Sequence, residues 1–209
     1  MDKLIETKNI DGMNSVERFL KRTGDLLGAF LLLILLSPVF LIIYVMQKIE
    51  GEGPAIFKQE RIGKGGKPFD ILKFRTMKVE AEKEGIPQLA TVGDDRLTKV
   101  GKFLREHHLD ELPQLWNVFV GDMSFVGYRP ERQYFISQIM EHNPDYVLLY
   151  VSRPGVTSNA TLHNGYTDTM EKMLLRLDMD LDYLRHRSIS LDFKIIFETA
   201  FSVVGGKKF

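Results

Sequence analysis

No charged side chain occurs between Leu26 and Met46, in the run LLGAFLLLILLSPVFLIIYVM. At ~1.5 Å rise per residue such a run extends roughly 30 Å as a helix, the thickness of a bilayer core. It exceeds the ~7–15 apolar residues of a secretory signal, and no small-residue cleavage site follows Met46. The bland alternative is a buried core helix. Ser37-Pro38 falls near the middle of the run. Proline removes a helical donor and clashes with the preceding turn, so a bend or break is expected there. In lipid the freed carbonyl needs a partner, which Ser37 can supply. Arg18, Lys21 and Arg22 precede the run, and Lys48, Lys58 and Arg61 follow it. The preference of basic flanks for the cytoplasmic side therefore applies to both ends. A helix that dips in, turns at Ser37-Pro38 and returns satisfies this; a kinked single span is the simpler reading of the run alone.

No second run of this kind occurs, so the remaining roughly 160 residues read as a water-facing unit held at a membrane, large enough for a modest core. Lys+Arg 28 against Asp+Glu 28 leaves no net charge, which argues against a nucleic-acid partner. The absence of cysteine excludes disulfides, thiolate zinc sites and cysteine nucleophiles. Charge is nevertheless uneven. From Lys58 to Lys78 seven cations (Lys58, Arg61, Lys64, Lys67, Lys73, Arg75, Lys78) face Glu60 and Asp70. Such a patch suits anionic membrane lipids or a phosphorylated substrate, and equally an ordinary solvated face.

The stretch AIFKQERIGKGGKPFDILKFRTM predicts a β-hairpin turning at Gly63–Lys67. GKGGK lacks phosphate-loop spacing and reads as the turn. Period-two alternation puts Phe69, Ile71, Lys73 and Arg75 on one face, where two cations could grip a diphosphate. EGIPQLATVGDDRLTKVG is loop-like, with Asp94-Asp95 marking a turn rather than a metal pair. KFLREHH predicts a helix. In LDELPQLWNVFVGDM, Asp110 suits an N-cap, Pro113 a first turn, and Leu112, Leu115, Trp116 and Phe119 an apolar face. Further helices are expected at about 131–142, about 169–187 and over LDFKIIFETAFSVV, the last packing on the domain or lying on the membrane. Residues 1–14 are polar and read as loosely ordered. The fold class is α+β, mostly helical: a lead-in over 1–25, a membrane helix over 26–47, and a compact domain over 48–209 containing the hairpin.

Asp110 and Glu111 are the candidate chemistry. Adjacent carboxylates at a helix start meet unpaired N–H groups, which favour an ionised carboxylate and a bound phosphate. An ionised Asp is a competent nucleophile, and its neighbour can help hold Mg²⁺. An acidic helix cap would look the same. The five histidines lack ligand-like spacing, and no nucleophile elbow marks a serine hydrolase.

Taken in order, SPVF inside the apolar run, KFRTM, LDELPQLWNV, GDMSFVGYRPE, RPGVT and a late LDFKII resemble the bacterial sugar transferase family, the small monotopic polyprenyl-phosphate phosphoglycosyl transferases. The matches run from about residue 18 to 203, and as a set are highly specific. The resemblance implies a re-entrant membrane helix broken at Ser37-Pro38, at the cytosolic face of the bacterial inner membrane. It implies transfer of a sugar-1-phosphate from a UDP-sugar donor to undecaprenyl phosphate, with UMP released and Mg²⁺ required, as the first membrane step of glycan assembly. Asp110 would form a covalent phosphosugar-aspartate; Glu111 would assist metal binding or activate the lipid phosphate. Lys73, Arg75, Arg105, Arg129 and Arg153 would bind substrate phosphates. Two departures stand out: Tyr128 replaces the family's usual proline, and VTSNATLHNGYTD replaces a GLAQVNG-like segment where sugar or nucleotide selectivity is expected. Two rivals predict other chemistry: a membrane glycosyltransferase releasing UDP, and a noncatalytic lipid-binding scaffold. The sequence sets neither the donor sugar nor an oligomeric state.

Overall fold

The computed structural model describes residues 10–78, 94–165 and 167–205. Residues 1–9, most of the loop-like EGIPQLATVGDDRLTKVG stretch and the terminal Lys207-Lys208 lie outside them. Helix α1 (Ser15–Leu35) opens with a capping box, in which the Asn14 side chain accepts from Val16 and Glu17 N–H and Glu17 returns a bond to Asn14 N–H. The lead-in and the first half of the apolar run are thus one helix, with no boundary at residue 26. Residues just before it are also fixed. Asp11 pairs with Arg187 at 2.6 Å and Arg18 at 3.1 Å, and Met13 is buried, so the loose order expected over 1–14 does not extend to Asp11–Asn14.

Leu36 breaks the run, and α2 (Ser37–Glu50) leaves at 60° to α1. Pro38 has no N–H for the Ile34 carbonyl; the Ser37 hydroxyl donates to it instead at 2.8 Å. Leu27, Phe30, Leu31, Ile34, Leu35, Leu41, Ile42 and Val45 are all exposed, which overturns the buried-core reading of the run. Among the described residues no single helix is long and apolar enough to cross a membrane; α1 and α2 meet the criterion together, as a bent pair.

The inner sides of this pair carry the domain. Ala29 of α1 packs with Ile71, Val118 and Met123, and Ile43 of α2 packs with Phe74 and Leu104. The hairpin forms where expected: β1 (Ile56–Ile62) pairs antiparallel with β2 (Pro68–Phe74), Ile62 opposite Pro68. Then come α3 (Lys99–Glu106), α4 (Gln114–Val120), β3 (Ser124–Val126), α5 (Gln133–His142), β4 (Gly155–Thr157), α6 (Asn159–Asn164), α7 (Met170–His186) and α8 (Ile189–Val204). β3 and β4 form a two-stranded parallel pair that the sequence reading missed. At its end two backbones cross so closely that a Cβ on Gly127 would stand 2.4 Å from the Arg153 carbonyl oxygen. Glycine is obligatory there on steric grounds. The largest core cluster gathers Ile62, Tyr128, Ile136, Ile139, Tyr146, Leu149, Leu177 and Leu181. Tyr128, the departure from the family pattern, is therefore a fully buried core residue.

Candidate active site

Three local devices bring Asp110 and Glu111 to Lys73. First, α3 is pressed onto the end of the hairpin. Thr98 N–H donates to the Thr76 carbonyl at 3.0 Å, and a Cβ on Gly101 would fall 2.0 Å from that same oxygen. Second, His108 takes a left-handed conformation (φ 55°), the only non-glycine residue with positive φ among those described, and this turns the chain out of α3. Leu109–Glu111 follow as a 3₁₀ turn leading through Pro113 into α4. Third, Asn117 of α4 acts like a strand neighbour for β2. Its Oδ1 accepts from Leu72 N–H at 3.0 Å and its Nδ2 donates to the Asp70 carbonyl at 2.8 Å. Lys73 Nζ then meets Glu111 Oε1 at 2.6 Å.

Asp110 is consequently not the N-cap that the pattern suggested. The α-helix starts at Gln114, after Pro113, because the chain enters it through the 3₁₀ turn. The difference matters chemically. A capping carboxylate has its oxygens occupied, whereas the Asp110 oxygens accept no hydrogen bond from any described residue, although the residue is only 8% exposed. Burial, with the neighbouring Glu111 charge, raises the Asp110 carboxyl to about 6 against the pull of Lys73 and Arg105. Burial works on Glu111 in the same direction, but Lys73 and Arg129 outweigh it and hold that carboxyl down to about 2. Adjacent groups so driven apart are a common acid–base arrangement at active sites.

The pair lines a cavity of about 690 Å³, a normal size for a small-molecule site. Nine Lys/Arg and four Asp/Glu line it, so a neutral chain has concentrated positive charge where an anion would sit. Arg105, in the last turn of α3, and Arg129 both reach it. Neither guanidinium has a hydrogen-bond partner among the described residues. The Arg129 loop is held at its backbone: Gly155 N–H donates to the Tyr128 carbonyl at 2.8 Å, Ile62 N–H to the Glu131 carbonyl at 3.1 Å, and Arg129 N–H to Asp180 Oδ2 at 3.4 Å. Burial works against the Arg129 charge, but Glu111, Glu131, Asp110 and Asp180 outweigh it.

The other two expected phosphate ligands sit differently. Arg75 lines the cavity, yet its guanidinium donates to the carbonyls of Gln47, Gly51 and Glu52 and to Gln47 Oε1. It is spent on locking the end of α2 to the hairpin, beyond the last residue of β2. Arg153 is absent from the cavity lining. Its Nε caps the C-terminal end of α4 through the Gly121 carbonyl at 2.7 Å, beside Arg22 of α1, which donates to the Val118 and Phe119 carbonyls at 2.7 and 2.9 Å. The sequence reading did not include Glu131, which bridges Arg61 at 3.0 Å and Arg176 at 3.1 Å on the cavity wall. Its position after Arg129-Pro130 was the available signal. The 156–168 segment does reach the cavity, through Val156, Thr157, Thr161, Gly165, Thr167 and Asp168.

An exposed apolar helix pair bent at a proline, together with a cation-rich cavity holding a buried carboxylate that accepts no hydrogen bond from a described residue, suits a phosphorylated ligand. The chain belongs to the bacterial sugar transferase family, which matches residues 16–206. It is 44% identical over 191 residues to the UDP-glucose:undecaprenyl-phosphate glucose-1-phosphate transferase of Escherichia coli (strain K12), covering 90% of this chain and 41% of that protein. To the UDP-N-acetylgalactosamine-undecaprenyl-phosphate N-acetylgalactosaminephosphotransferase of Aeromonas hydrophila it is 39% identical over 188 residues, 90% of this chain and 44% of the other. To the exopolysaccharide production protein PSS of Rhizobium leguminosarum bv. phaseoli it is 36% identical over 197 residues, 91% and 98% of the two chains. The chain thus spans under half the length of the first two relatives and nearly all of the third.

Proposed function

We propose that this chain transfers a sugar-1-phosphate from a UDP-sugar to undecaprenyl phosphate by two successive displacements at Asp110, at the cytosolic face of the bacterial inner membrane, opening the assembly of a surface glycan. The observation that carries the reading is the Asp110 carboxyl, buried and accepting no hydrogen bond from a described residue, in one cavity with the Arg105 and Arg129 guanidinium groups, which likewise have no hydrogen-bond partner among the described residues. The activities named for the Escherichia and Aeromonas relatives support the same reaction class.

In the first step an Asp110 oxygen attacks the sugar-linked phosphorus. The Asp110 O–P bond forms as the bond to the bridging oxygen breaks, and that oxygen leaves on UMP. In the second, an oxygen of the lipid phosphate attacks the same phosphorus and the Asp110 carboxylate departs unchanged, giving a lipid-diphosphate sugar. Neither displacement creates charge that needs a proton; what the site must do is hold phosphates in line and neutralise them. Arg105 and Arg129 are the available donors, and Lys73 keeps Glu111 ionised and oriented. Two carboxylates together with diphosphate oxygens suit Mg²⁺, which usually takes one or two protein carboxylates plus substrate phosphate; among the described residues no group of three or more His, Asp or Glu could hold a metal by itself. Bound by Asp110 and Glu111, the ion would supply charge neutralisation on the transferring phosphoryl group. The bent pair α1–α2, with basic residues at both flanks, supports a re-entrant seat in one leaflet.

Radiolabel from a UDP-sugar should pass to undecaprenyl phosphate with release of UMP. Mass spectrometry of enzyme quenched without acceptor should find the phosphosugar on Asp110. Release of UDP, or glycolipid formation by Asp110→Asn at the normal rate, would overturn the reading.

A further inference from the structure

The Arg129 loop is held to α7 by two side chains one turn apart. Asp180 Oδ2 accepts from the Arg129 N–H at 3.4 Å, and Arg176 Nη1 donates to Glu131 Oε1 at 3.1 Å. Pro130, whose ring fixes its own φ, stiffens the link between the two anchored residues. Arg61 of β1 grips the same stretch through the Pro130 carbonyl and the Glu131 carboxylate, both at 3.0 Å. Asp180 is the unexpected member of this set. It is 2% exposed, and burial, with the Glu131 charge, raises its carboxyl to about 7 against the pull of Arg176, the Arg129 N–H and the Ser158 hydroxyl. Its neighbours on α7, Leu177 and Leu181, belong to the core cluster that holds Tyr128. An apolar residue in place of a buried ionisable one is commonly neutral or stabilising, so packing gives no reason for a carboxylate at 180.

We propose that Asp180 is a positioning residue for Arg129: by accepting from its backbone N–H it fixes where the guanidinium meets a substrate phosphate. This rests on the transfer reaction proposed above. Arg129 lines the cavity with Asp110 and Glu111, and the charges of Glu111, Glu131 and Asp110 all act on it. A long, flexible side chain among several carboxylates has more than one place to go. The point where that side chain leaves the backbone selects the place that serves a phosphate, and Asp180 sets that point. A misplacement of ~1 Å can cost ~100-fold in rate, so the hydrogen bond matters more to turnover than to the fold.

The test is a double-mutant cycle on the full chain in detergent, with undecaprenyl phosphate as acceptor and UDP-glucose and UDP-N-acetylgalactosamine as donors, scoring nucleotide release as kcat/KM. Asp180→Leu removes the acceptor oxygen while filling its space, Asp180→Ala removes it outright, and Asp180→Asn keeps one. The Leu and Ala variants should each lower kcat/KM at least tenfold, whereas the Asn variant should stay within threefold of the parent. In an Arg129→Ala background Asp180→Leu should cost less than a further twofold, because no guanidinium is left to place. An equal cost in both backgrounds would make Asp180 a residue of the fold and overturn the inference. So would an Asn variant as slow as the Leu variant, a Leu variant within twofold of the parent, or the lack of a cooperative melting transition in both the Leu and Ala variants. The nucleotide itself keeps the two readings apart: UMP with an additive cycle removes the positioning role alone, and UDP with a non-additive cycle removes the phosphate-transfer reading alone.

Discussion

Replacing Asp110 with Asn should make the protein more stable while abolishing turnover. The Asp110 carboxyl is raised from 3.8 to about 6, chiefly by burial, which weakens its ionised form by about 3 kcal/mol relative to the unfolded chain, at 1.36 kcal/mol per pH unit. Solvent at the cavity mouth screens part of this, so about 1–3 kcal/mol is expected. No hydrogen bond from a described residue to the Asp110 side chain is lost in exchange. The sign follows from proton uptake. Below pH 3.8 folded and unfolded states are both protonated and the substitution gains nothing. As pH rises through about 6 the folded protein must ionise a carboxylate that its surroundings disfavour, so the parent loses stability that Asn retains. Thermal unfolding in detergent from pH 4 to pH 8 measures this, and the Asn variant should melt higher by several degrees at pH 8 and equally at pH 4. A gap independent of pH, or a variant that melts lower at pH 8, would refute the assignment of burial as the cause.

Other substitutions separate binding from architecture. Arg105→Ala should leave stability within about 0.5 kcal/mol and raise the KM for UDP-sugar, because its guanidinium has no hydrogen-bond partner among the described residues. Arg75→Ala should cost about 1–3 kcal/mol by freeing the Gln47 carbonyl of α2 and the Gly51 and Glu52 carbonyls just beyond it, seen as a lower midpoint in denaturant, with residual activity at unchanged KM. Lys73→Met should cost on the order of 1–3 kcal/mol near neutral pH and raise the Glu111 carboxyl; the stability that the ion pair contributes above pH 4.5, lost in the parent only as pH falls toward about 2, should already be missing at pH 6. For the bent pair, cysteines at Asn14 and Glu52 should label from the same side of the membrane, and Pro38→Ala should shift them toward opposite sides as the helix straightens; opposite-side labelling in the parent would make the pair a span.

Much of this was legible in the chain because the signals are local. The proline break, the glycine turn of the hairpin and the leucine and methionine stripe of α7 each depend on neighbours within a few residues. Arg75 lines the cavity with Lys73, but the partners of its guanidinium were not legible. Strand periodicity put it on the Lys73 face, but β2 ends at Phe74, and the carbonyls that claim its guanidinium come from residues more than 20 positions upstream. Arg153 is likewise drawn to a distant partner, the helix end at Gly121. The N-cap reading of Asp110 was defeated by one left-handed histidine, a conformation that no propensity announces. The β3–β4 pair was invisible because three-residue strands carry too little pattern to register.

The two bonds from Arg22 to the last carbonyls of α4 have a mechanical consequence. They rivet the exposed apolar helix to the helix that leads back to the carboxylates, so that on the proposed membrane seat the reacting phosphorus would be held at one height above the hydrocarbon. On that reading the domain would behave as a depth gauge. Bilayers whose surface layer is thicker or thinner than the gauge length should slow the second displacement while sparing the first.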